Sequence, residues 1–361
     1  MKKVKTFLVL SASLLLLSVS GCASSKQFTE KPIKSGTMVP GESLGEKLAW
    51  LERNADSHNT YILELNADET IAAHTFEYRG ASDITIALRG AGENRTIRIS
   101  PHGTIFTIRS GVTVVLDNNI TLQGHRKNTG PLVNVDGGKF VMRTGSRISD
   151  NDRGSGDGGG VYMRSGEFYI TGGAISGSSA ANGGGVFVAD GNFAMSGGTI
   201  SGNAAENGGG VHVSKVFDMR GGTISNNTAV NGGGMYVANA NVTDTYIKVA
   251  GVITGNTAGA YGGGVYVNRG SIQVKRGGVI TGYKSDQRNG NAIRDEDGNV
   301  MRGYISHAVF SNNYNGVFAG INLRRGKEHD STIKSNTTRD FLLYGAAIVA
   351  ICALSLTKDT Q

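Results

Sequence analysis

Carboxylates are the residues of this sequence whose spacing could support catalysis or metal binding. Two short segments each hold three of them: Asp150, Asp152 and Asp157 in one, and Asp295, Glu296 and Asp297 in the other. Clustered carboxylates bind calcium ions, and a pair of them about 5 Å or about 6.5–9.5 Å apart can hydrolyse a glycosidic bond. Such short, polar, glycine-containing segments are also typical of solvated turns, and we favour that interpretation for both.

Three further patterns point to no specific chemistry. Residues 154–159 satisfy the G-x-G-x-x-G pattern of nucleotide-binding loops, but no strand–turn–helix sequence surrounds them, and similar glycine runs recur along the chain. The calcium-binding nonapeptide needs an aspartate after the glycines, where Met163 and Val213 stand instead. The seven histidines are dispersed, and two cysteines are too few for a zinc site. We therefore expect no metal, no cofactor and no catalytic residue.

The amino terminus carries the clearest chemical signature. A lysine-rich start is followed by an apolar run over residues 7–19 and then by Val19-Ser20-Gly21-Cys22. The run is too short to span a bilayer and is typical of a secretory signal, and the last four residues resemble the cleavage site of a lipoprotein signal peptidase. The sequence predicts a signal peptide over residues 1–21 and lipid on Cys22, whose two or three acyl chains anchor a protein firmly. The alternative is an ordinary secretion signal with a chance cysteine.

Two elements follow this leader. Residues 22–42 are polar, include two of the four prolines, and predict a flexible tether. Ser43 and Glu46 then have the spacing of a helix capping box. The apolar face of the helix consists of Leu44, Leu48, Leu51 and Ala55. We predict a short helix over residues 43–58 that caps the end of the domain beyond it.

A repeat of 24 to 29 residues dominates the rest of the chain. Isoleucine marks it at seven positions: Ile120, Ile148, Ile175, Ile200, Ile224, Ile253 and Ile280. Glycine triplets mark it independently at 158–160, 183–185, 208–210, 232–234 and 262–264. Each period holds three strand-like pieces, G-G-G-V-Y-V, F-x-M-x-G-G and T-I-S-G-N, separated by glycine turns. Stacked periods whose equivalent strands lie about 4.8 Å apart give a parallel β-solenoid.

Stacking places equivalent residues in columns, and these columns are chemically uniform. Three apolar columns are predicted to point inward: Val161, Val186, Val211, Met235 and Val265; Met163, Val188, Val213, Val237 and Val267; and Phe140, Phe168, Phe193 and Phe217. Asn203, Asn227 and Asn256 align at one corner, where amides can bond along the axis or take left-handed conformations. The sequence thus predicts an all-β fold over residues 59–282, a β-helix of about eight coils and about 40 Å in length.

The outward columns bear on catalysis and binding. The carboxylates of a hydrolase would share a column on adjacent coils, yet Glu167 aligns with Asn192 and Val216. The residue between the two inward columns of valines is aromatic in each regular period, and we call this outward column the aromatic ladder: Tyr162, Phe187, His212, Tyr236 and Tyr266. Such a ladder can bind a glycan or a protein partner, or it can simply stabilise stacked strands.

The repeat is lost after residue 282. Residues 283–340 are polar and hold at most one irregular last coil, and residues 341–361 begin with the uncharged run Phe341–Leu356. A membrane-spanning helix usually needs about 20 residues. The run is compatible with a cap buried on the last coil, a membrane-associated tail or an aberrant tail.

Charge argues against one class of partner. The net charge is +7, of which Lys2, Lys3 and Lys5 in the leader contribute three, and no dense basic cluster follows. Binding to phosphates needs a concentrated stripe of lysine and arginine. Nucleic acid is therefore not an expected partner.

Several phrases together resemble one group of proteins. "LDNNITLQG", "MSGGTISGN" and variants of "NGGGVYV", behind a lipoprotein-like leader, are similar to β-helix surface lipoproteins of host-associated spirochaetes and to the repeats of polymorphic outer-membrane proteins. The resemblance covers roughly residues 44–325 and is most specific over 111–282. It implies a right-handed parallel β-helix of the pectin-lyase-like superfamily that is displayed at the cell surface.

The sequence as a whole predicts a non-catalytic protein of the cell envelope. We expect lipid on Cys22 to hold it in the outer membrane, exposed at the surface, where the rigid β-helix presents the aromatic ladder to a glycan or protein of a host or neighbouring cell. Two alternatives stay open: a polysaccharide lyase or hydrolase with its site on the irregular early or late coils, and a structural component of the envelope. The residues do not indicate an oligomeric state.

Overall fold

The computed structural model describes residue 33 and residues 35–238, 247–268, 272–274, 278–281, 291–293, 309–311, 316–318, 321–323 and 333–334. Four predicted features lie outside the described residues: the signal peptide over 1–21 with Cys22, most of the tether, the acidic segment at 295–297, and the apolar segment 341–361. Within the described part of the chain, no helix is both long and apolar enough to cross a bilayer.

The described residues form a right-handed parallel β-helix of about nine turns with one short helix. This confirms the predicted all-β solenoid, with one turn more than expected. The first sheet has 17 strands: Thr37–Met38, Thr60–Leu65, His74–Phe76, Ile84–Gly90, Phe106–Arg109, Val112–Leu116, Val133–Met142, Val161–Ile170, Val186–Val188, Asn192–Met195, Val211–Val213, Val216–Met219, Met235–Val237, Ile247–Val249, Val265–Val267, Ile272–Val274 and Val309–Ser311.

Two further parallel sheets close the coils. The second sheet has ten strands, of which the last runs antiparallel to its neighbour: Glu69–Ile71, Arg95–Ile99, Ile120–Gln123, Ser146–Ser149, Ala174–Ser176, Thr199–Ser201, Thr223–Ser225, Val252–Thr254, Val279–Ile280 and Ile333–Lys334. The third sheet has five: Ser179–Asn182, Ala204–Asn207, Thr228–Asn231, Thr257–Tyr261 and Ala292–Ile293. A separate antiparallel pair joins Gly316–Phe318 to Ile321–Leu323.

A regular coil has four strands, where the sequence pattern predicted three pieces. The extra strand belongs to the third sheet, as in Ala204–Asn207. Its inward residues are small, such as the buried Ala180, Ala229 and Ala258. Alanine and asparagine are depleted in strands, so this segment had the composition of a turn.

The inward columns follow the predicted register. Val161 pairs with Val186, Phe168 with Phe193, and every member of the three apolar columns is fully buried. The phenylalanine rings of the third column stack with centroids 4.5–5.1 Å apart. One marker was wrong: Ile148 pairs with Leu122 and not with Ile120, because Ile120 and Leu122 are both apolar and buried on the same strand, two residues apart.

The amino-terminal cap is a helix over Leu44–Asn54, shorter than predicted at its carboxyl end. Ser43 and Glu46 form the predicted capping box. The leucines of the predicted apolar face are buried against the first coil, whereas Ala55 is the C-cap residue. The predicted tether is also ordered at its end, since Thr37–Met38 pairs in parallel with Thr60–Leu65.

The glycine triplets form one edge of each regular coil. The backbone N–H groups of four consecutive residues, 183–186, donate to carbonyls of the next coil over 2.9–3.2 Å. In an ordinary strand the N–H groups of successive residues point in opposite directions. Four consecutive N–H groups that point the same way therefore need unusual backbone angles, including φ +62° at Gly183. A Cβ on Gly184 would lie 2.6 Å from the carbonyl oxygen of Gly209. Only glycine fits this edge.

A buried column of asparagines runs along the corner between the second and third sheets. The amide nitrogens of Asn203, Asn227 and Asn256 each donate to the amide oxygen of the following asparagine over 2.9–3.0 Å, and the column ends at Asn291. The amides bond along the axis, as one of the two predicted alternatives requires. The left-handed residue is the one before each asparagine, for example Asn226 with φ +55°.

Candidate functional site

The aromatic ladder is one continuous stack. Neighbouring ring centroids lie 4.6–5.4 Å apart and neighbouring planes are 1–17° from parallel. The residues on either side of each ladder position are fully buried, whereas four of the five ladder side chains are half-buried. The column therefore lies on the outer face of the first sheet, as alternation predicts.

Stacking determines which part of each ring can meet a partner. Phe187, His212 and Tyr236 each have a ring against both faces. A sugar stacks on the face of an aromatic ring, and in these three residues the faces are already covered. The ladder therefore offers ring edges and tyrosine hydroxyls, which suit hydrogen bonds and edge contacts.

His212 is the most enclosed member of the ladder. It is 7% exposed, and its Nδ1 is buried without a hydrogen-bond partner. Burial lowers the pKa of this imidazole to about 4. The ring is consequently neutral at physiological pH, so the ladder is an uncharged surface.

The amino-terminal end of the ladder is covered by a cation that the sequence reasoning missed. The guanidinium of Arg153 lies 5.6 Å from the ring centroid of Tyr162, a cation–π contact. Its Nε and Nη1 are buried without hydrogen-bond partners. Burial lowers the pKa of Arg153, and Asp157 acts in the opposite direction. The irregular loop that carries Arg153 gave no periodic signal from which this contact could be inferred.

An exposed corner adjoins the other end of the ladder. Val230 is 49% and Tyr261 44% exposed, and the Tyr261 ring lies 6.3 Å from that of Tyr266, tilted by 41°. Tyr261 pairs with Asn231 of the preceding coil. Asn231 is the last member of a second column of hydrogen-bonded side chains, which starts at Asp157 and continues through asparagines. The sequence reasoning missed Tyr261 because it stands where the preceding repeats have asparagine.

The acidic segment at residues 150–157 does not converge on one point. Asp150 accepts from the Gln123 amide at 3.2 Å, Asp152 from the Ser179 hydroxyl at 2.8 Å, and Asp157 from Asn182. The hydrogen bond from Ser179 is the main cause of a lowered pKa at Asp152. Among the described residues, no three His, Cys, Asp or Glu side chains are grouped to hold a metal ion.

A shallow groove of about 310 Å³ lies on the outer face of the first sheet. Its lining includes Asp83, Thr113, Lys139, Glu167 and three glycines. The Lys139 ammonium lies 3.3 Å from Glu167 and 4.8 Å from the ring centroid of Tyr169. Burial and the neighbouring Glu167 raise the pKa of the Tyr169 hydroxyl. The charges of Lys139 and Glu167, which lie on adjacent coils, thus compensate each other.

The register agrees with the expectation that carboxylates do not share an outward column in the regular coils. Glu167 pairs with Asn192, which pairs with Val216. Several carboxylates instead meet a cation one coil away: Glu64 with Arg89, Asp68 with Arg98, Asp136 with Arg109, and Asp190 with Lys215. Adjacent coils thus present opposite charges to each other.

Comparison with known proteins identifies no relative of this chain. No known protein family, no curated protein and no solved structure matches this chain. The fold and the surface geometry therefore carry the functional argument.

Proposed function

We propose that this chain is a non-catalytic, lipid-anchored β-helix protein of the bacterial cell envelope, similar to the surface lipoproteins of host-associated spirochaetes. Lipid on Cys22 holds it in the outer membrane, and the rod extends the outer face of the first sheet away from the bilayer. That face binds a glycan or protein of a host or neighbouring cell.

One observation carries the proposal: the aromatic ladder runs along the outer face over five coils without a break. Aromatic side chains contribute large contact area at little cost in conformational entropy, and tyrosine adds a hydroxyl for a polar partner. Tyr162, Tyr236 and Tyr266 place three such hydroxyls along one line. The exposed Val230 and Tyr261 extend this surface at its carboxyl-terminal end.

The charged groups of the outer face favour binding over catalysis. In the groove the Glu167 carboxylate is paired with the Lys139 ammonium and Asp83 lies 3.4 Å from His58, and Asp152 and Asp157 accept hydrogen bonds from side chains of the next coil. A glycosidase needs two carboxylates on either side of one bond. The groove at Lys139 and Glu167 is the place to look if the protein nonetheless cleaves a polysaccharide.

The test uses the full chain in detergent on a panel of host and microbial polysaccharides, with released fragments and retained glycan scored in the same wells. We expect retention without cleavage. A variant with Tyr162→Phe, Tyr236→Phe and Tyr266→Phe keeps the stack and removes the hydroxyls. Each lost hydrogen bond costs about 1 kcal/mol, so retention falls at least about tenfold.

The matched control removes hydroxyls from another face. Thr199→Ala with Thr223→Ala trims the second sheet at two threonines that are also half-buried, and should leave retention unchanged. Released fragments would overturn the proposal. Equal retention by both variants would remove the ladder from the binding surface. Anchoring is checked by Cys22→Ser, which we expect to leave the membrane fraction.

A further inference from the structure

Two histidines that belong to no metal-binding sequence motif lie together on adjacent coils. His102 is in the loop after Arg95–Ile99, and His125 is in the loop after Ile120–Gln123. Their ring centroids are 4.8 Å apart and their planes are tilted by 59°. The sequence separation of 23 residues hides this pair, because it equals about one coil and matches no helical or hairpin spacing.

The two loops are tied to each other by one buried amide. Asn128 is 3% exposed; its Oδ1 accepts from the Gly103 N–H at 2.7 Å, and its Nδ2 donates to the Gly103 carbonyl at 2.8 Å. Asn128 also donates to Asn151 at 2.8 Å, which ties both loops to the third coil. The backbones of the two loops that carry the histidines are therefore held together by buried structure, which helps to preorganise a site.

The hydrogen bond made by the His125 ring leaves its other ring nitrogen available as a metal ligand. Its Nδ1 lies 2.9 Å from the carbonyl oxygen of Arg126, which can only accept, so Nδ1 carries the proton. The Nε2 is buried and has no hydrogen-bond partner. With the proton on Nδ1, the neutral imidazole has its lone pair on Nε2. Metal-binding histidines show this same arrangement, with the other ring N–H donated to a carbonyl.

We propose that His102 and His125 bind one divalent late transition-metal ion, with water filling the remaining positions. A metal held at about 2.0–2.1 Å from each nitrogen needs the two nitrogens about 3.3 Å apart in tetrahedral geometry. The ring centroids are 4.8 Å apart, and the exposed His102 has room to turn one of its nitrogens toward Nε2 of His125.

Local charge sets a modest affinity. Arg126 and Lys127 follow His125 and repel a cation, whereas Asp152 lies on the next coil, with its backbone N–H bonded to the His125 carbonyl at 3.1 Å. Imidazole pairs prefer ions in the order Cu²⁺ above Ni²⁺ and Zn²⁺. We expect one Cu²⁺ per chain at micromolar concentration, and weaker binding of the other two.

The experiment titrates the full chain with Cu²⁺, Ni²⁺ and Zn²⁺ by calorimetry and records the electron paramagnetic resonance spectrum of the Cu²⁺ form. His102→Asn and His125→Gln should each weaken Cu²⁺ binding at least about tenfold and reduce the nitrogen hyperfine structure of any bound Cu²⁺ from that of two imidazoles to that of at most one. The control is His58→Gln, because His58 is also exposed and lies 3.4 Å from the carboxylate of Asp83.

Three outcomes decide the proposal. Loss of binding in both test variants and its retention in the control support it. Unchanged binding in His102→Asn overturns it, and this variant is informative even if His125→Gln misfolds, since His102 lies in an exposed turn. Equal weakening in all three variants also overturns it, because it indicates diffuse binding to surface histidines.

Discussion

The coils before residue 158 and the regular coils from 158 to 268 close the same β-helix in different ways. In the regular coils the third side is a short strand followed by a glycine triplet, and side chains bond to copies of themselves one coil away. In the early coils the third side is a loop, at residues 100–105, 124–132 and 150–157, and many side chains bond to unlike partners, such as Arg98 to Asp68.

This difference assigns stability to the regular coils and chemistry to the early coils. Identical residues stacked at the coil repeat satisfy one another, so the regular coils leave few polar atoms without a partner among the described residues. Among the described residues, most buried side-chain atoms without a partner lie in the early coils, including Nε2 of His125 and Nε of Arg153. Loops on a rigid scaffold commonly carry binding residues, and here the scaffold is the stack of regular coils.

The largest expected effect comes from breaking the buried amide column. Asn227 is fully buried, and its Nδ2 donates to Asn256 at 3.0 Å and to the Ile200 carbonyl at 2.9 Å. Asn227→Asp removes both donors and introduces a buried charge, which costs about 3–5 kcal/mol of unfolding free energy. Urea denaturation measures the loss.

The neighbouring Asn226 supplies the control for this variant. It is exposed and left-handed, and glycine adopts its φ of +55° without strain. Asn226→Gly should change stability by less than about 0.5 kcal/mol. Similar losses in the two variants would mean that the column does not stabilise the regular coils more than their surface does.

An acid-sensitive stability is expected from the one imidazole in the ladder. The pKa of His212 falls to about 4 on folding because of burial, below the unfolded value of about 6.5. The unfolded chain therefore binds the proton first, and stability that is complete above pH 6.5 is lost as the pH falls toward 4. At about 1.4 kcal/mol per pH unit, the loss reaches about 3 kcal/mol.

His212→Phe isolates this contribution. Phenylalanine occupies the same column at Phe187, so the stack persists and an unpartnered nitrogen is removed. The variant should match or exceed the wild type at pH 7 and be more stable at pH 4, as measured by urea midpoints across this range. Parallel pH profiles for the two proteins would contradict the buried, neutral state of His212.

The smallest expected effect compares glycines of the two regions. A Cβ on Gly209 would lie 2.6 Å from the Gly233 carbonyl oxygen, whereas one on Gly154 meets no atom within 4 Å. Gly209→Ala should cost about 2 kcal/mol through backbone displacement. Gly154→Ala should cost about 1 kcal/mol through its φ of +62° alone. Thermal melting of both variants checks the order, and a larger loss at Gly154 would reverse the comparison.

Sequence reasoning succeeded where strongly apolar residues repeat, and it failed at a repeated strand of small polar residues and at positions outside the repeat. The columns through Phe168 and Val186 followed from spacing alone, since a one-coil interval aligns like with like. The strand over Ala204–Asn207 was missed because small polar residues carry no strong strand signal. The contacts of Arg153, Tyr261, His102 and His125 were missed because each depends on the path of an irregular loop or on a departure from the repeat.

The glycine edge has an electrical consequence. The N–H groups of residues 158–161, 183–186, 208–211 and 232–235 all point toward the carboxyl-terminal end of the rod. Each peptide unit has a dipole of about 3.5 D, and aligned units add. The edge therefore has a negative pole beside the early loops and a positive pole at the far end. Cations are favoured next to His125 and Arg153, and the repeat alone gives the rod this polarity.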